Sequence, residues 1–144
     1  MFPRFRAGML LTLAAGLAAC AGQRDLFERN PSPVNYKSEI LAFLRTYLND
    51  PTNLREASLA QPSLQRVGSV ERYVVCTRFN PRNSSGRYIG LVDVAFAFQE
   101  GKLYRNFELA NEEDDQDRAV RVQLRDVCKA AAYQPFPELE RLTR

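Results

Sequence analysis

Apolar residues recur at three- and four-residue intervals from Tyr36 through Ile40, Phe43 and Leu44 to Tyr47, which places them on one face of an α-helix. Asn35 stands where an N-cap is expected, and Asn49-Asp50-Pro51 marks the stop. The polar face of this helix carries only Lys37 and Arg45 as cations, so the stripe reads as core-facing rather than membrane-surface. Leu54 to Leu59 has no decisive period. From Val70 to Phe79 the pattern changes to alternation, with Glu71, Tyr73, Val75, Thr77 and Phe79 on one face and Val74 and Cys76 on the other, predicting a strand. Tyr88 to Phe98 predicts a second, with Val92, Val94, Phe96 and Phe98 on one face and Ile89, Leu91, Ala95 and Ala97 on the other, interrupted by Asp93. Glu100-Gly101 predicts a tight turn into a third strand, Lys102 to Leu109.

Beyond the acidic run Asn111 to Asp117, helical spacing returns at Ala119, Val120, Leu124, Val127 and Ala131. Anions before a helix N-terminus complement its dipole. These elements predict an α+β fold: a three- to four-stranded antiparallel sheet, built as a meander and flanked by an N-terminal and a C-terminal helix.

The N-terminus is patterned differently. Arg4 and Arg6 precede an apolar run from Ala7 to Leu17, and Ala18-Ala19 offers small side chains immediately before Cys20. Those 11 apolar residues fall short of the roughly 20 that a membrane-spanning helix needs. Small residues alone fit any cleaved secretory leader; the cysteine directly after them makes this a lipoprotein processing site. The expected organisation is a signal peptide over 1–19, a lipidated N-terminus and polar tether over 20–34, and a single α+β domain over 35–144. Two or three acyl chains on Cys20 give stable anchoring where one gives only marginal binding. Ala21 stands where an aspartate would resemble an inner-membrane retention signal, so the expected location is the periplasmic face of the outer membrane.

Cleavage changes the charge. The formal net charge of +3 includes Arg4 and Arg6, and the leader contains no acid, so it falls by two to +1. A near-neutral domain offers no clustered cationic surface for nucleic acid. With Cys20 lipidated, Cys76 and Cys128 remain as an even pair in an oxidising compartment, which predicts a disulfide between them. There is no C-x-x-C spacing and no histidine to lower a thiol pKa.

The absence of histidine also excludes a Ser-His-Asp triad and removes the commonest zinc ligand and general base. A calcium loop starting at Asp115 fails because Ala119 and Val120 fall where a ligand and the essential glycine belong. Gly86 and Gly90 lack the helix entry of a phosphate-cradling loop. No cofactor or metal is expected. For an envelope hydrolase the candidate carboxylate pair is Glu71 with Asp93, which requires paired strands to set them side by side. The loop from Asn80 to Arg87 supplies another candidate, because Arg78, Arg82, Arg87 and Tyr88 gather cations and an aromatic ring near one turn. Cell-wall carboxylates, lipid headgroups or an acidic protein surface would suit such a cluster.

Three segments, Asn35 to Ala57 (NYKSEILAFLRTYLNDPTNLREA), Glu71 to Tyr88 (ERYVVCTRFNPRNSSGRY) and Ala131 to Glu140 (AAYQPFPELE), resemble a family of small uncharacterised alphaproteobacterial envelope lipoproteins. That resemblance spans most of the expected domain and implies no activity at any position. The acidic stretch Glu112 to Asp117 is unlike the short connection the family resemblance leads one to expect. In size and architecture the chain is also similar to accessory lipoproteins of outer-membrane assembly. The expected role is therefore a membrane-anchored envelope lipoprotein with a non-enzymatic structural or interaction role, meeting the bilayer through Cys20 and an envelope protein or the cell wall through its surface. The alternative is an anionic-ligand binding module.

Overall fold

Helix α1 spans Tyr36–Tyr47 in the computed structural model, which describes residues 30–111 and 115–143. The leader, Cys20 and the tether up to residue 29 lie outside the described residues, as do residues 112–114 of the acidic run. Ile40 and Leu44, four apart, are the buried pair of α1, and Phe43 meets Phe96 edge-on with ring centroids 5.8 Å apart. Asn35 starts the helix through its backbone. Its carbonyl accepts the Glu39 amide at 3.1 Å and the Ser38 hydroxyl at 2.9 Å, while its side chain makes no capping bond. At Leu48 the backbone becomes extended and the helix ends ahead of Pro51, as the sequence predicts.

Six strands follow: β1 (Arg55–Leu59), β2 (Ser63–Val67), β3 (Val70–Asn80), β4 (Val92–Gln99), β5 (Lys102–Glu108) and β6 (Gln134–Pro135). A short 3-10 turn at Asp115–Asp117 leads into α2 (Arg118–Lys129), and α3 (Pro137–Glu140) follows β6. The sheet is antiparallel with order β5-β4-β3-β1-β6. β2 and β1 share one edge of β3 end to end, β2 pairing with Val70 to Val74 and β1 with Thr77 to Asn80.

The expected meander is present as β3-β4-β5, but the sheet has six strands rather than three or four. β2 buries only Val67 and so carries almost no apolar signal; its place is fixed by the tight hairpin at Gly68, whose φ of +66° suits glycine. β1 is interrupted by a bulge between Arg55 and Ser58 where Glu56 takes φ +55°, and β6 is only two residues long. The second predicted strand also starts late, at Val92 instead of Tyr88. Gly90, at φ +95°, turns the chain out of the ladder, and Ile89 and Leu91 project to solvent instead of joining the sheet face. The turn into β5 is as expected: Glu100 and Gly101 both adopt positive φ, +53° and +75°, the geometry that matches strand twist in a two-residue hairpin.

Strand alternation sorts the core into two layers. Val75, Phe79, Val94, Phe96 and Phe98 pack with Ile40 and Leu44 of α1 and with Phe136 and Leu139. On the opposite face Val74, Cys76, Ala95 and Ala97 meet Leu124 and Cys128 of α2. The two predicted helices thus cover opposite faces of the sheet. Cys76 and Cys128 form the expected disulfide, joining β3 to α2 with their Cα atoms 5.4 Å apart. Arg125 adds a second tie by donating to the Leu109 carbonyl, at 2.7 Å from its terminal nitrogen.

The exposed edge of β5 is blunted by α1. Glu39 accepts the Leu103 amide at 2.6 Å and pairs with Lys102, occupying a donor that an incoming strand would use. The chain enters the domain near this end. Asn30 donates to the Glu71 carbonyl at 3.1 Å, and its side-chain oxygen accepts the Glu100 amide at 3.2 Å, so the entry point is clamped across the start of β3 and the β4-β5 turn.

Candidate functional site

At the other end of the sheet lies the loop of residues 81–91, which joins β3 to β4 and contains most of the basic and aromatic cluster. Its conformation is dictated by short polar side chains. Asn83 accepts the amides of Ser85 and Arg87 through its side-chain oxygen, both at 3.0 Å, and Asn80 accepts the Gly90 amide at 3.0 Å. Backbone bonds close it further, with the Ile89 amide donating to the Pro81 carbonyl at 3.1 Å.

The four candidate binding residues divide sharply. Arg78 forms a two-pronged ion pair with Asp93, directly opposite it on β4, at 2.7 and 3.2 Å, and lies over the Tyr133 ring at 4.7 Å from its centroid. The Asp93 carboxylate raises the Arg78 pKa further. Tyr133 is itself pushed above its ordinary value, by burial first and then by the Asp93 charge. Arg82 is paired with Asp50. Tyr88 donates its hydroxyl to the Asn53 carbonyl at 2.7 Å, and the Arg55 guanidinium stacks on its ring at 4.3 Å. Arg87 is exposed, and its side chain enters none of the ion pairs among the described residues. Arg82 and Tyr88 therefore hold the loop to the body of the domain, and Arg78 ties β3 to β4 beneath it.

Asp50 deserves its place as the loop's anchor because its carboxyl is held below the ordinary carboxylate range. The Thr52 hydroxyl contributes most, then the Thr52 amide, with Arg82 adding a smaller favourable share. A carboxyl with a depressed folded-state pKa stabilises the fold in full above its unfolded value of 3.8, and that contribution disappears as pH falls through the lower folded value. Acidification to pH values below 3.8 is accordingly expected to loosen the loop before the sheet. Hydrogen exchange at the Ile89 and Gly90 amides, corrected for intrinsic rate, measures this. Asp50→Asn should give fast exchange already at neutral pH and abolish the pH dependence.

The carboxylate pair Glu71 and Asp93 is not brought together. Glu71 sits opposite Arg66 at the start of β3, whereas Asp93 faces Arg78 seven residues further along, about 23 Å away at strand rise. No shared cleft exists for the two. Among the described residues there is also no group of three or more metal-ligating side chains, and no helix is long and apolar enough to cross a membrane.

What sequence reasoning missed is a pocket. Between the C-terminal end of α1, the 81–91 loop and the end of β5 lies a cavity of about 360 Å³. Leu44, Phe79 and Val94 contribute its buried apolar side, and Tyr47 and Ile89 stand at its exposed margin. The Tyr47 hydroxyl donates to Glu108 at 2.7 Å, and this bond to an anion raises the tyrosine pKa. A second cavity of about 390 Å³, beside the disulfide, is lined by small residues including Ala60, Val74, Ala130 and Ala131. The only signal for the first was Tyr47 at the end of the helical stripe and the apolar pair Ile89 and Leu91 flanking a glycine, which in the sequence looked like strand.

Compared with family models, curated proteins and solved structures, the chain matches none. Function is therefore argued from the geometry alone.

Proposed function

We propose that the protein is a lipid-anchored envelope lipoprotein with a non-enzymatic interaction role, tied through an acylated Cys20 to the periplasmic face of the outer membrane. The observation that supports this reading best is the polarity of the domain. Asn30 is clamped at the end of the sheet marked by Glu71 and Glu100, while the rigid loop and its pocket lie at the end marked by Phe79, Val92 and Glu108. Eight residues of β3 separate Glu71 from Phe79, about 26 Å of strand. An anchor ten residues before Asn30 reaches at most about 35 Å, so the tether joins the domain at the pole bearing Asn30, and the pocket lies at the pole opposite the attachment point. That arrangement suits a domain that presents a surface to another envelope component.

The same geometry weighs against a module for anionic ligands. Arg78 and Arg82 are neutralised by Asp93 and Asp50, leaving Arg87 as the exposed cation of that cluster. A charge already paired in a hydrogen-bonded geometry has little left to offer an incoming anion. Fractionation tests the anchor. Wild-type protein is expected in the membrane fraction after a high-salt wash, and Cys20→Ala protein in the soluble fraction; retention of the Cys20→Ala protein in membranes would overturn the proposed anchoring.

A further inference from the structure

We propose that the pocket at the distal pole receives an extended segment of a partner protein, with a large apolar side chain entering the cavity and an adjacent lysine or arginine pairing with Glu108. This deepens the interaction role proposed above and rests on it. Three observations select that occupant.

The first is preorganisation. Ile89 and Leu91 are 56% and 52% exposed, yet they ride on a loop fixed by Asn80, Asn83, the Arg82-Asp50 pair and the Tyr88 hydroxyl. Exposed apolar side chains on a rigid loop beside a cavity lose little entropy on binding, which is the character of an interaction surface. The cavity's volume of about 360 Å³ takes one large apolar side chain and its backbone, and lies at the small end of the range for small-molecule sites.

The second is an unfulfilled donor. Arg82 lines the cavity, and while its terminal nitrogen is paired with Asp50, its Nε is buried without a hydrogen-bond partner. A buried N–H left unpaired costs free energy, and a shift of the Arg82 guanidinium towards the cavity lets an incoming carbonyl oxygen recover it. A peptide backbone offers such an oxygen beside every side chain.

The third is charge. Of the charged residues lining the cavity, Arg82 and Asp93 are neutralised by Asp50 and Arg78, whereas Glu108 receives only the Tyr47 hydroxyl and has no ion pair among the described residues. One uncompensated carboxylate at an apolar cavity favours a cation next to the apolar group and repels a fatty acid or another anionic amphiphile. A basic-apolar peptide segment satisfies all three features together.

The test uses the full chain as the expressing cell leaves it, held in lipid nanodiscs with isoleucine, leucine and valine methyls labelled for NMR. Acetyl-Phe-Lys-amide is expected to shift the methyls of Ile89, Val92, Val94 and Leu48 saturably, leaving Leu124 and Val127 unmoved. Acetyl-Phe-Glu-amide should bind about fivefold more weakly, the scale of a single exposed ion pair, and Glu108→Gln should erase that preference. Ile89→Asp, an exposed loop position, should weaken both peptides while the Leu124 signals stay in place as a check on folding. Equal binding of the two peptides to the wild type would overturn the basic-residue preference. Octanoate binding more tightly than either would make this a lipid site, and absence of shifts at the cavity methyls would end the proposal. None of those results bears on anchoring: release of the Cys20→Ala protein with an inert pocket sinks only this inference, whereas membrane retention of that variant with peptide binding intact sinks only the lipoprotein reading.

Discussion

Replacing both Cys76 and Cys128 with alanine is expected to lower the free energy of unfolding by about 4 kcal/mol. The disulfide closes a loop of 52 residues, and chain-entropy arguments for a loop of that length give a loss of this size. A domain of this class has roughly 5–15 kcal/mol in total, so the double variant stands near the edge of folding at growth temperature. The effect is expected to be concentrated on α2. Its buried residues are Arg121, Leu124 and Cys128, with Val120 and Val127 partly buried, and they share one core layer with Val74, Ala95, Ala97 and Phe107, so without the covalent tie the helix is held by this apolar packing alone. Urea unfolding of the wild type with and without reductant measures the same quantity without changing a side chain. Reduction should shift the midpoint to lower denaturant with little change in slope, and hydrogen exchange along α2 should rise before that of β3 and β4. A loss below about 1 kcal/mol in both experiments would mean that packing, and not the sulfur bridge, fastens α2 to the sheet.

The elements that carried their own pattern were legible in advance. Tyr36 to Tyr47 repeats at helical spacing and forms α1; Val70 to Phe79 alternates and forms β3; Glu100-Gly101 takes the positive φ pair that a two-residue turn requires. Cysteine parity was sufficient to pair Cys76 with Cys128 once Cys20 was assigned to lipid. The remaining strands depend on neighbours distant in the chain. β2 is polar along most of its length and exists because Gly68 folds it back on β3, and β6 forms only where Pro135 meets Ser58 of β1.

The same limit governs the site. Arg78, Arg82 and Tyr88 were recognisable as a basic and aromatic cluster, but what each does is set by residues far from it in the chain. Asp50 lies 32 residues from Arg82, and Asn53 lies 35 from Tyr88. No local pattern links those positions, so a cluster that resembles an anion site turns out to fasten a loop. Ile89 and Leu91 alternate as a strand requires, and the pattern predicts one from Tyr88. Gly90 overrides that alternation by supplying a backbone conformation unavailable in a ladder; both side chains are left exposed, and Ile89 stands at the margin of the cavity.

Phe136→Ala is expected to cost about 3–5 kcal/mol, the range for deleting a buried aromatic ring. Phe136 is fully buried, within the same core layer as Leu44, Phe79 and Val94, which also line the distal pocket. It further stands at a two-way junction with the bulge of β1. The Phe136 amide donates to the Ala57 carbonyl at 2.8 Å, and the Glu140 carboxylate accepts the Ala57 amide at 2.9 Å, so both polar groups of Ala57 are satisfied by the C-terminal segment where Glu56 breaks the ladder. Losing the ring therefore removes core volume and also frees the segment that completes those bonds. Two further variants separate the contributions. Glu140→Ala leaves the core intact and strands one amide, for an expected loss of about 1–3 kcal/mol, while Phe136→Leu keeps most of the apolar area and should cost clearly less than alanine. If Phe136→Ala instead shifts the urea midpoint no more than Glu140→Ala does, the ring is not part of the cooperative core. The peptide-induced methyl shifts give an independent readout, since a cavity floored by that core should lose binding in Phe136→Ala but retain it in Glu140→Ala.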